Sequence, residues 1–383
     1  MTSSIFDRLG VKPVINASGI YTDLGGSKLS PQLWADLTQL NEYYMRIPEL
    51  LEKTGASIAR LIGTQAARVT PGASAAIALS VAACMTGEDG PSWEQLPDTS
   101  GLKNEVVMLY GQLQAYKYAV CVRIPGARIV TAGDGAGTSM AQIEAAFTAR
   151  TAAVFMPAHL EGLGGTPSLK TIAQSAHARG IPVVVDAAYM NFPPQIMRSY
   201  SQAGADLVCF SAKYYGGPNA GGFVAGTADL MRAVAGLDFT RFESGKYRTF
   251  GRPFKMGRYE IAATALALHA WFQADHEARL HEYRERAVTL QRLLGSLPGI
   301  ATALRCFTLD ERLTDDAVNC LVLSFGAGAK ITAAGLCAAL AAGSPEIAAV
   351  QEAAQVLLVT ETLESAHLSV ISERVRAAVM AAG

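Results

Sequence analysis

Residues 205–218 read ADLVCFSAKYYGGP and place one lysine shortly after a strongly apolar run. The run Leu207–Phe210 predicts a buried strand, and Gly216–Pro218 predicts the turn that follows it. Lys213 then lies at the carboxyl end of that strand, where burial lowers the pKa of an amine and suits it to form a Schiff base. Taken alone, the same lysine could cap a surface loop.

An acid ends a second apolar strand 27 residues earlier, where residues 183–186 read VVVD. A carboxylate buried there needs a cationic partner. The pyridinium N–H of pyridoxal 5'-phosphate (PLP) is such a partner, and this salt bridge keeps the ring protonated as an electron sink. The carboxyl ends of parallel strands meet at the edge where ligands bind in open α/β folds, so Asp186 and Lys213 together predict a PLP site.

A phosphate-binding segment is predicted at residues 70–74, which read TPGAS and precede the helical run Ala75–Met85. Backbone N–H groups at a helix N-terminus attract a phosphate dianion, and Ser74 adds a hydroxyl group. An ordinary serine N-cap would produce the same pattern. Ser211, two residues before the lysine, is placed to contact the same phosphate.

The fold class follows from residues 58–226, where short β-branched runs alternate with helical ones. This alternation is typical of βαβ units and a largely parallel sheet. Helices such as Met140–Ala149 and Leu169–Arg179 would cover the sheet. The predicted strands are Val106–Tyr110, Arg128–Ala132, Ala153–Met156, Val183–Asp186, Leu207–Phe210 and Gly222–Ala225.

A second, smaller α/β domain is predicted after about Arg258, where a long helical stretch runs from Ile261 to Leu294. Its strands would be Cys320–Phe325 and Val356–Thr360, and its closing helix Ser369–Ala382. The predicted organisation is an N-terminal segment at 1–50 that contributes to the active site, a large PLP-binding domain at 51–258 and a small C-terminal domain at 259–383.

The composition indicates a compact enzyme, because 50% of the 383 residues are hydrophobic and 17% are charged. Lys+Arg and Asp+Glu nearly cancel, at 32 against 33, which argues against a nucleic-acid partner. The first ten residues include Asp7 and Arg8, and no apolar run reaches the roughly 20 residues of a membrane span, so we expect a cytoplasmic protein. Six scattered cysteines without a Cys-x-x-Cys pair predict neither disulfides nor a metal site.

Several further stretches carry a family resemblance, namely 14–19 (VINASG), 21–27 (YTDLGGS), 69–76 (VTPGASAA), 122–125 (VRIP), 210–222 and 251–255 (GRPFK). With Lys213 and Asp186, they make the chain resemble the fold-type I PLP enzymes, which have the aminotransferase-like fold. Within these enzymes, the chain is similar to the branch of bacterial selenocysteine synthase and D-glucosaminate-6-phosphate ammonia-lyase. The ammonia-lyase branch matches better, particularly in the N-terminal glycine loop and the Gly-Arg-Pro segment.

The resemblance implies roles for individual residues around the cofactor. Lys213 would hold PLP as a Schiff base and carry the proton, and Asp186 would bind the pyridinium nitrogen. Gln112 would lie over the ring, with His159 and Tyr189 near the 3-hydroxyl group, although a structural role for His159 fits the sequence equally well. The phosphate would be bound by Gly72, Ala73, Ser74 and Ser211.

The resemblance also implies a homodimer or larger homo-oligomer, because enzymes of this kind build each active site at a dimer interface. The residues that would then reach the partner's phosphate are Thr249, Gly251 and Arg252. The candidates for gripping an anionic amino acid substrate are Arg252, Lys255 and Arg258. Arg258 stands where the family pattern leads us to expect a lysine, and an ordinary surface charge is the alternative for each of these residues.

The function implied by the resemblance is α,β-elimination from a hydroxylated, anionic amino acid, such as D-glucosaminate or its 6-phosphate. Lys213 would remove the Cα proton, the β-hydroxyl group would leave, and hydrolysis would give a 2-oxo acid and ammonia. An aminotransferase, a racemase or an aldolase would use the same lysine, acid and phosphate site.

Two further classes fit the sequence less well. A selenocysteine synthase-like transferase is disfavoured because the matching region starts almost at Met1, which leaves no room for an N-terminal RNA-binding module. The near-neutral chain also lacks the counter-charge for tRNA. A PLP-binding protein without catalysis is disfavoured because Lys213 and Asp186 are both present.

Overall fold

The computed structural model describes residues 4–245, 247–315 and 317–382. Its strands are β1 (Val14–Ala17), β2 (Ala66–Thr70), β3 (Glu105–Leu109), β4 (Arg128–Ala132), β5 (Thr151–Pro157), β6 (Val183–Asp186), β7 (Leu207–Ser211), β8 (Gly222–Gly226), β9 (Ile300–Phe307), β10 (Leu313–Thr314), β11 (Cys320–Phe325), β12 (Glu346–Glu352) and β13 (Gln355–Val359).

Its α-helices are α1 (Ile5–Leu9), α2 (Pro31–Leu40), α3 (Ile47–Ile62), α4 (Gly72–Thr86), α5 (Gly90–Gln95), α6 (Tyr110–Ala115), α7 (Ala119–Arg123), α8 (Met140–Ala145), α9 (Leu169–His177), α10 (Ile196–Gln202), α11 (Ala228–Leu237), α12 (Phe239–Ser244), α13 (Arg258–Gln273), α14 (His276–Leu294), α15 (Ala333–Ala342) and α16 (Ser365–Ala381). Short 3-10 helices cover Ala158–Leu160, Leu163–Gly165, Ala212–Tyr215 and Arg252–Phe254.

The chain divides into two compact units. The large unit comprises residues 27–273, and the small unit combines the chain up to Gly26 with the chain from Ala274 onward. The large unit is built on a seven-stranded sheet in the order β2-β8-β7-β6-β5-β3-β4. Strand β8 runs antiparallel to both of its neighbours, and β7, β6, β5, β3 and β4 run parallel to one another. This sheet confirms the predicted α/β class with a largely parallel sheet.

The six predicted strands all form in this sheet, with bounds that shift by two residues at most. Helices α8 and α9 also form, but they end at Ala145 and His177 rather than at the predicted Ala149 and Arg179. The sequence pattern did not predict β2, because Arg68 interrupts its apolar residues.

A buried ion pair accommodates Arg68 within the sheet. Its Nε donates to Oδ2 of Asp238 at 2.7 Å, and both side chains are buried. The other carboxylate oxygen of Asp238 accepts from the backbone N–H and the hydroxyl group of Thr240, at 2.8 and 2.6 Å. Both charges are paired and hydrogen-bonded, which is the condition under which an ion pair can be buried without a large penalty.

Replacing Arg68 with methionine should lower the free energy of unfolding by about 3–5 kcal/mol, because the carboxylate of Asp238 is then buried without its partner. The double variant Arg68→Met/Asp238→Leu should recover most of that loss, since no charge remains to be desolvated. Denaturant unfolding followed by circular dichroism measures both. Arg232→Met is the control, because Arg232 and its partner Glu88 are both about half exposed. A double variant as unstable as the single one would contradict this account.

Helix α4 packs on the sheet and is buried along almost its whole length. Every residue from Ala75 to Ala83 is buried. A helix that is apolar on all sides belongs in the core of a protein or in a membrane. Here it lies in the core, and among the described residues no helix is long and apolar enough to cross a membrane. The packing of α4 fixes the position of its first residue, Gly72.

The long helical stretch predicted from Ile261 to Leu294 is two helices, α13 and α14. Asp275 is the N-cap of α14, because its side chain accepts the backbone N–H of Ala278 in the first turn at 2.9 Å. Helix α13 stays in the large unit, where Nε1 of Trp271 donates to the carbonyl oxygen of Asn191 at 2.9 Å. The structure divides the two compact units after residue 273.

The small unit contains a six-stranded sheet in the order β1-β12-β13-β11-β9-β10. Strand β1 pairs parallel with β12, and the remaining pairs are antiparallel. Because β1 belongs to this sheet while α2 lies in the large unit, the segment predicted at 1–50 is divided after Gly26. Strand β11 forms as predicted, β13 differs by one residue at each end, and α16 begins at Ser365 rather than Ser369.

Candidate active site

The candidate site lies at the carboxyl edge of the parallel strands of the large unit, where β7 leads into Lys213. This lysine belongs to the 3-10 helix Ala212–Tyr215 and is 8% exposed. Its ammonium nitrogen lies 4.9 Å from the centre of the Tyr214 ring. Gly216 ends the 3-10 helix at φ 80°, a conformation that residues with side chains rarely adopt. The structure thus places a largely buried amine at the end of the strand.

Asp186 ends β6, the neighbouring parallel strand, and is 4% exposed. Its Oδ2 accepts the hydroxyl group of Tyr116 at 2.6 Å, and its Oδ1 accepts the backbone N–H of Ala188 at 3.0 Å. Burial raises the pKa of Asp186, and the two hydrogen bonds oppose that increase. A carboxylate in this position is well suited to receive one further N–H.

Aromatic side chains connect the two strand ends. The His159 ring follows β5 and lies 5.2 Å from the Tyr189 ring, which follows β6. The Tyr189 ring lies 5.8 Å from that of Tyr214, next to the lysine. On the other side, the His159 ring is 6.2 Å from the Tyr116 ring. The predicted residues His159 and Tyr189 therefore lie in one continuous group with the groups around Lys213 and Asp186.

Gln112 lies on α6, the short helix after β3, and is fully buried. Its Nε2 donates to the carbonyl oxygen of Leu160 at 3.1 Å, which fixes the orientation of the amide. Its Oε1 has no hydrogen-bond partner among the described residues. A buried acceptor without a donor is costly, so this oxygen is a candidate for contact with a bound group.

The predicted phosphate segment has the geometry of an anion site. Helix α4 begins at Gly72 with φ 83°, and within the described residues its N-terminus has no side-chain cap. A Cβ atom built on Gly72 would meet nothing within 4 Å, so there is open space beside it. Ser211 is buried opposite Gly222 in the β7–β8 pair, whereas Ala73 is partly buried and Ser74 is exposed. Free N–H groups at a helix start next to open space fit a phosphate.

Thr249 and Gly251 are held by their own unit. Thr249 is buried and donates its hydroxyl group to the carbonyl oxygen of Asp238 at 3.0 Å. The N–H of Gly251 donates to the carbonyl oxygen of Leu237 at 2.8 Å. These hydrogen bonds hold the segment against Leu237 and Asp238, and neither bond involves Lys213.

The three predicted anion-binding side chains have other neighbours in this structure. Arg252 forms an ion pair with Glu243, with 2.8 Å between Nε and Oε1. Arg258 donates to the carbonyl oxygen of Tyr43 at 3.1 Å and to Oδ1 of Asn41 at 2.9 Å, in the link between α2 and α3. Lys255 is exposed.

The amine, the acid and the helix N-terminus fit PLP, and comparisons with known proteins agree. The aminotransferase class-V family model matches residues 117–304. The chain is 32% identical to D-glucosaminate-6-phosphate ammonia lyase of Salmonella typhimurium over 279 residues, which cover 72% of each protein. The chain belongs to the fold-type I PLP-dependent enzymes.

Two other matches describe its place among these PLP-dependent enzymes. A 5'-C-glycyluridine monooxygenase-decarboxylase of a Streptomyces species is 30% identical over 302 residues, covering 77% of this chain and 72% of that protein. A solved structure of D-glucosaminate-6-phosphate ammonia-lyase covers 100% of both chains with a TM-score of 0.85 and 27% identity. These matches confirm the predicted family, the aminotransferase-like fold and the PLP cofactor.

Sequence reasoning missed Tyr116 and Tyr214 as neighbours of the site. For Tyr116 the sequence carried no signal, because it follows the end of α6 and its partner Asp186 lies 70 residues away. Tyr214 is adjacent to Lys213, and the sequence alone does not show that the two side chains would be in contact.

Replacing Gly222 with alanine should weaken PLP binding by about tenfold or more. A Cβ at this position would lie 2.6 Å from the carbonyl carbon of Gly72, so the start of α4 would have to move. Titration of the apo-protein with PLP, followed by absorbance, measures the affinity. Gly135→Ala is the control, because its added Cβ would meet nothing within 4 Å. Equal affinities for the two variants would show that Gly222 does not position the phosphate site.

Proposed function

We propose that the protein is a PLP-dependent lyase that eliminates the β-hydroxyl group of an anionic hydroxy amino acid and releases ammonia and a 2-oxo acid. The observation that carries the proposal is the placement of Lys213 and Asp186 after neighbouring strands at one sheet edge, in a chain whose whole length matches an ammonia-lyase structure. D-Glucosaminate 6-phosphate, after which the Salmonella relative is named, is the substrate to test first.

In the proposed reaction, Lys213, Asp186 and the start of α4 have different roles. Lys213 would hold the cofactor, and its amine would take the Cα proton of the substrate. Asp186 holds the ring N–H. When bound, PLP supplies a ring that delocalises the charge left by proton removal. The N-terminus of α4, with Gly72, Ala73, Ser74 and Ser211, holds the phosphate group.

The reaction needs neither an oxidant nor an amino acceptor. Loss of the Cα proton and the β-hydroxyl group removes one water molecule, and hydrolysis of the resulting enamine returns that water and releases ammonia. For the substrate anion we propose Arg252, Lys255 and Arg258, since basic side chains bind carboxylate and phosphate groups well. For Arg258 this requires exchange of its contacts with Tyr43 and Asn41.

The purified protein with PLP should release ammonia and 2-oxo acid from D-glucosaminate 6-phosphate under anaerobic conditions. Lys213→Ala should lose the visible absorbance of the bound cofactor and lower the rate by about 10²- to 10⁴-fold or more. Lys170→Ala, which removes an exposed lysine on α9, is the matched control and should retain both. Absorbance spectra and coupled assays for ammonia and 2-oxo acid measure these outcomes.

Other results would contradict the lyase proposal in distinguishable ways. Oxygen consumption with carbon dioxide release would favour the chemistry named for the Streptomyces relative. Dependence on an added 2-oxo acid would indicate an aminotransferase. Exchange of the Cα proton without net reaction would indicate a racemase, and aldehyde release would indicate an aldolase. If PLP-saturated protein showed no visible absorbance band from bound cofactor, the proposed role of Lys213 would be wrong.

We also propose a homodimer, in which Thr249, Gly251 and Arg252 reach the phosphate bound by the partner subunit. The support is that the segment 249–252 is firmly held at Thr249 and Gly251, while the phosphate site of the same chain lies at α4. The structure shows no disulfide among the described residues, which is consistent with a reducing compartment, and we propose the cytoplasm.

Mixing two inactive variants tests the shared site. Lys213→Ala and Arg252→Ala should each be inactive alone, and refolding them together should restore about a quarter of the wild-type activity, because half of the dimers are then hybrids with one intact site. Activity is measured after size-exclusion chromatography. Lys213→Ala refolded with Lys213→Arg is the control and should stay inactive. A mixture that remains inactive would contradict sharing of the site across the dimer.

A further inference from the structure

Tyr116 donates a hydrogen bond from its side chain to the carboxylate of Asp186. Tyr116 directly follows α6 and is 3% exposed. Its hydroxyl group lies 2.6 Å from Oδ2 of Asp186. The two residues lie 70 positions apart in the sequence. A phenol and a carboxylate that are both buried form a strong hydrogen bond, because the acceptor is charged and water is excluded.

The ring of Tyr116 is held from several sides. Its centre lies 5.6 Å from that of Phe155 on β5, 5.9 Å from Tyr118 and 6.2 Å from His159. Aromatic neighbours at these distances restrict the rotation of the ring. These rings and the hydrogen bond to Asp186 together restrain the position of the hydroxyl group.

The hydrogen bonds of Asp186 leave room for one more donor. Each carboxylate oxygen has two acceptor positions. Oδ2 uses one for Tyr116, and Oδ1 uses one for the N–H of Ala188. A ring N–H can therefore be added without displacing Tyr116, so the phenol and the cofactor can bind the carboxylate together.

We propose that Tyr116 is a positioning residue, whose hydroxyl group keeps Asp186 ionised and correctly oriented to bind the ring N–H of PLP. The inference rests on the proposed contact between Asp186 and the ring, but it does not depend on which reaction follows. Tyr116 itself need not touch the substrate.

The electrostatic surroundings explain why Asp186 needs such a donor. Burial raises its pKa, whereas the hydrogen bond from Tyr116 favours the ionised form. Two further titratable groups that interact with Asp186 are Cys121 on α7 and Cys209 on β7, and burial raises the pKa of both thiols. A neutral thiol is only a weak hydrogen-bond donor, so the phenol and the Ala188 N–H are the stronger donors to this carboxylate.

The test measures PLP binding to the apo-protein across a range of pH, without substrate. Tyr116→Phe should weaken PLP binding by about tenfold or more, because a hydrogen bond to a charged group is lost. The decline in affinity at acidic pH should begin at a higher pH than in wild type, because Asp186 without the phenol takes up a proton more readily. Tyr200→Phe is the matched control, since Tyr200 is also a buried tyrosine and lies on α10; it should bind PLP like wild type.

A double-variant comparison separates positioning from a structural role. In the Asp186→Asn background, Tyr116→Phe should change PLP affinity less than about twofold, because the carboxylate through which Tyr116 acts is gone. Equal losses in both backgrounds, or wild-type affinity and pH profile in Tyr116→Phe alone, would overturn the proposal. Absence of ammonia release from D-glucosaminate 6-phosphate by wild-type protein that binds PLP would refute the proposed lyase reaction instead, and would leave the role of Tyr116 unaffected.

A second variant keeps the test independent of folding. Fluorinated tyrosine incorporated at position 116 retains the ring and the hydroxyl group but is a stronger hydrogen-bond donor. The decline in PLP affinity at acidic pH should then begin at a lower pH than in wild type, which is opposite to the shift expected for Tyr116→Phe. A shift in the same direction for both variants would contradict the proposed role.

Discussion

The burial of an amine and a carboxylate at the same edge of a parallel sheet is the constraint on which the rest of the large unit depends. Neither group is stable in an apolar interior unless its neighbours compensate for the loss of water. Asp186 is compensated by a phenol and a backbone N–H, and Lys213 lies against an aromatic ring. The strands that carry them are apolar throughout, so these side chains stand out as sites prepared for chemistry.

The apolar helix α4 meets a second requirement of the same site. A phosphate dianion needs several N–H groups in a fixed arrangement, and a helix N-terminus provides them. Because α4 is buried along nearly its whole length, its start cannot shift without disturbing the core. Gly222 allows the backbone of β8 to approach Gly72, so the close packing of sheet and helix determines where a phosphate can lie.

Relatives of similar identity to this chain are named for different reactions. One is named an ammonia lyase and another a monooxygenase-decarboxylase, although both match across about three quarters of the chain. The proposed cofactor residues do not by themselves specify the substrate, which also depends on the groups that contact it. In this chain, the candidates are Arg252, Lys255 and Arg258, of which the two arginines have other partners in the structure described here.

The apolar sequences VVVD and LVCFS, by themselves, determined the two central strands and the positions of Asp186 and Lys213, because buried parallel strands are specified by local runs of apolar residues. Local patterns could not predict β2, since burial of Arg68 depends on Asp238, 170 residues away. They also missed the role of Tyr116, whose partner lies 70 residues along the chain. The assignment of α13 to the large unit and of β1 to the small one was likewise decided by tertiary packing, because hydrogen bonds and buried contacts between distant segments exist only once the chain has folded.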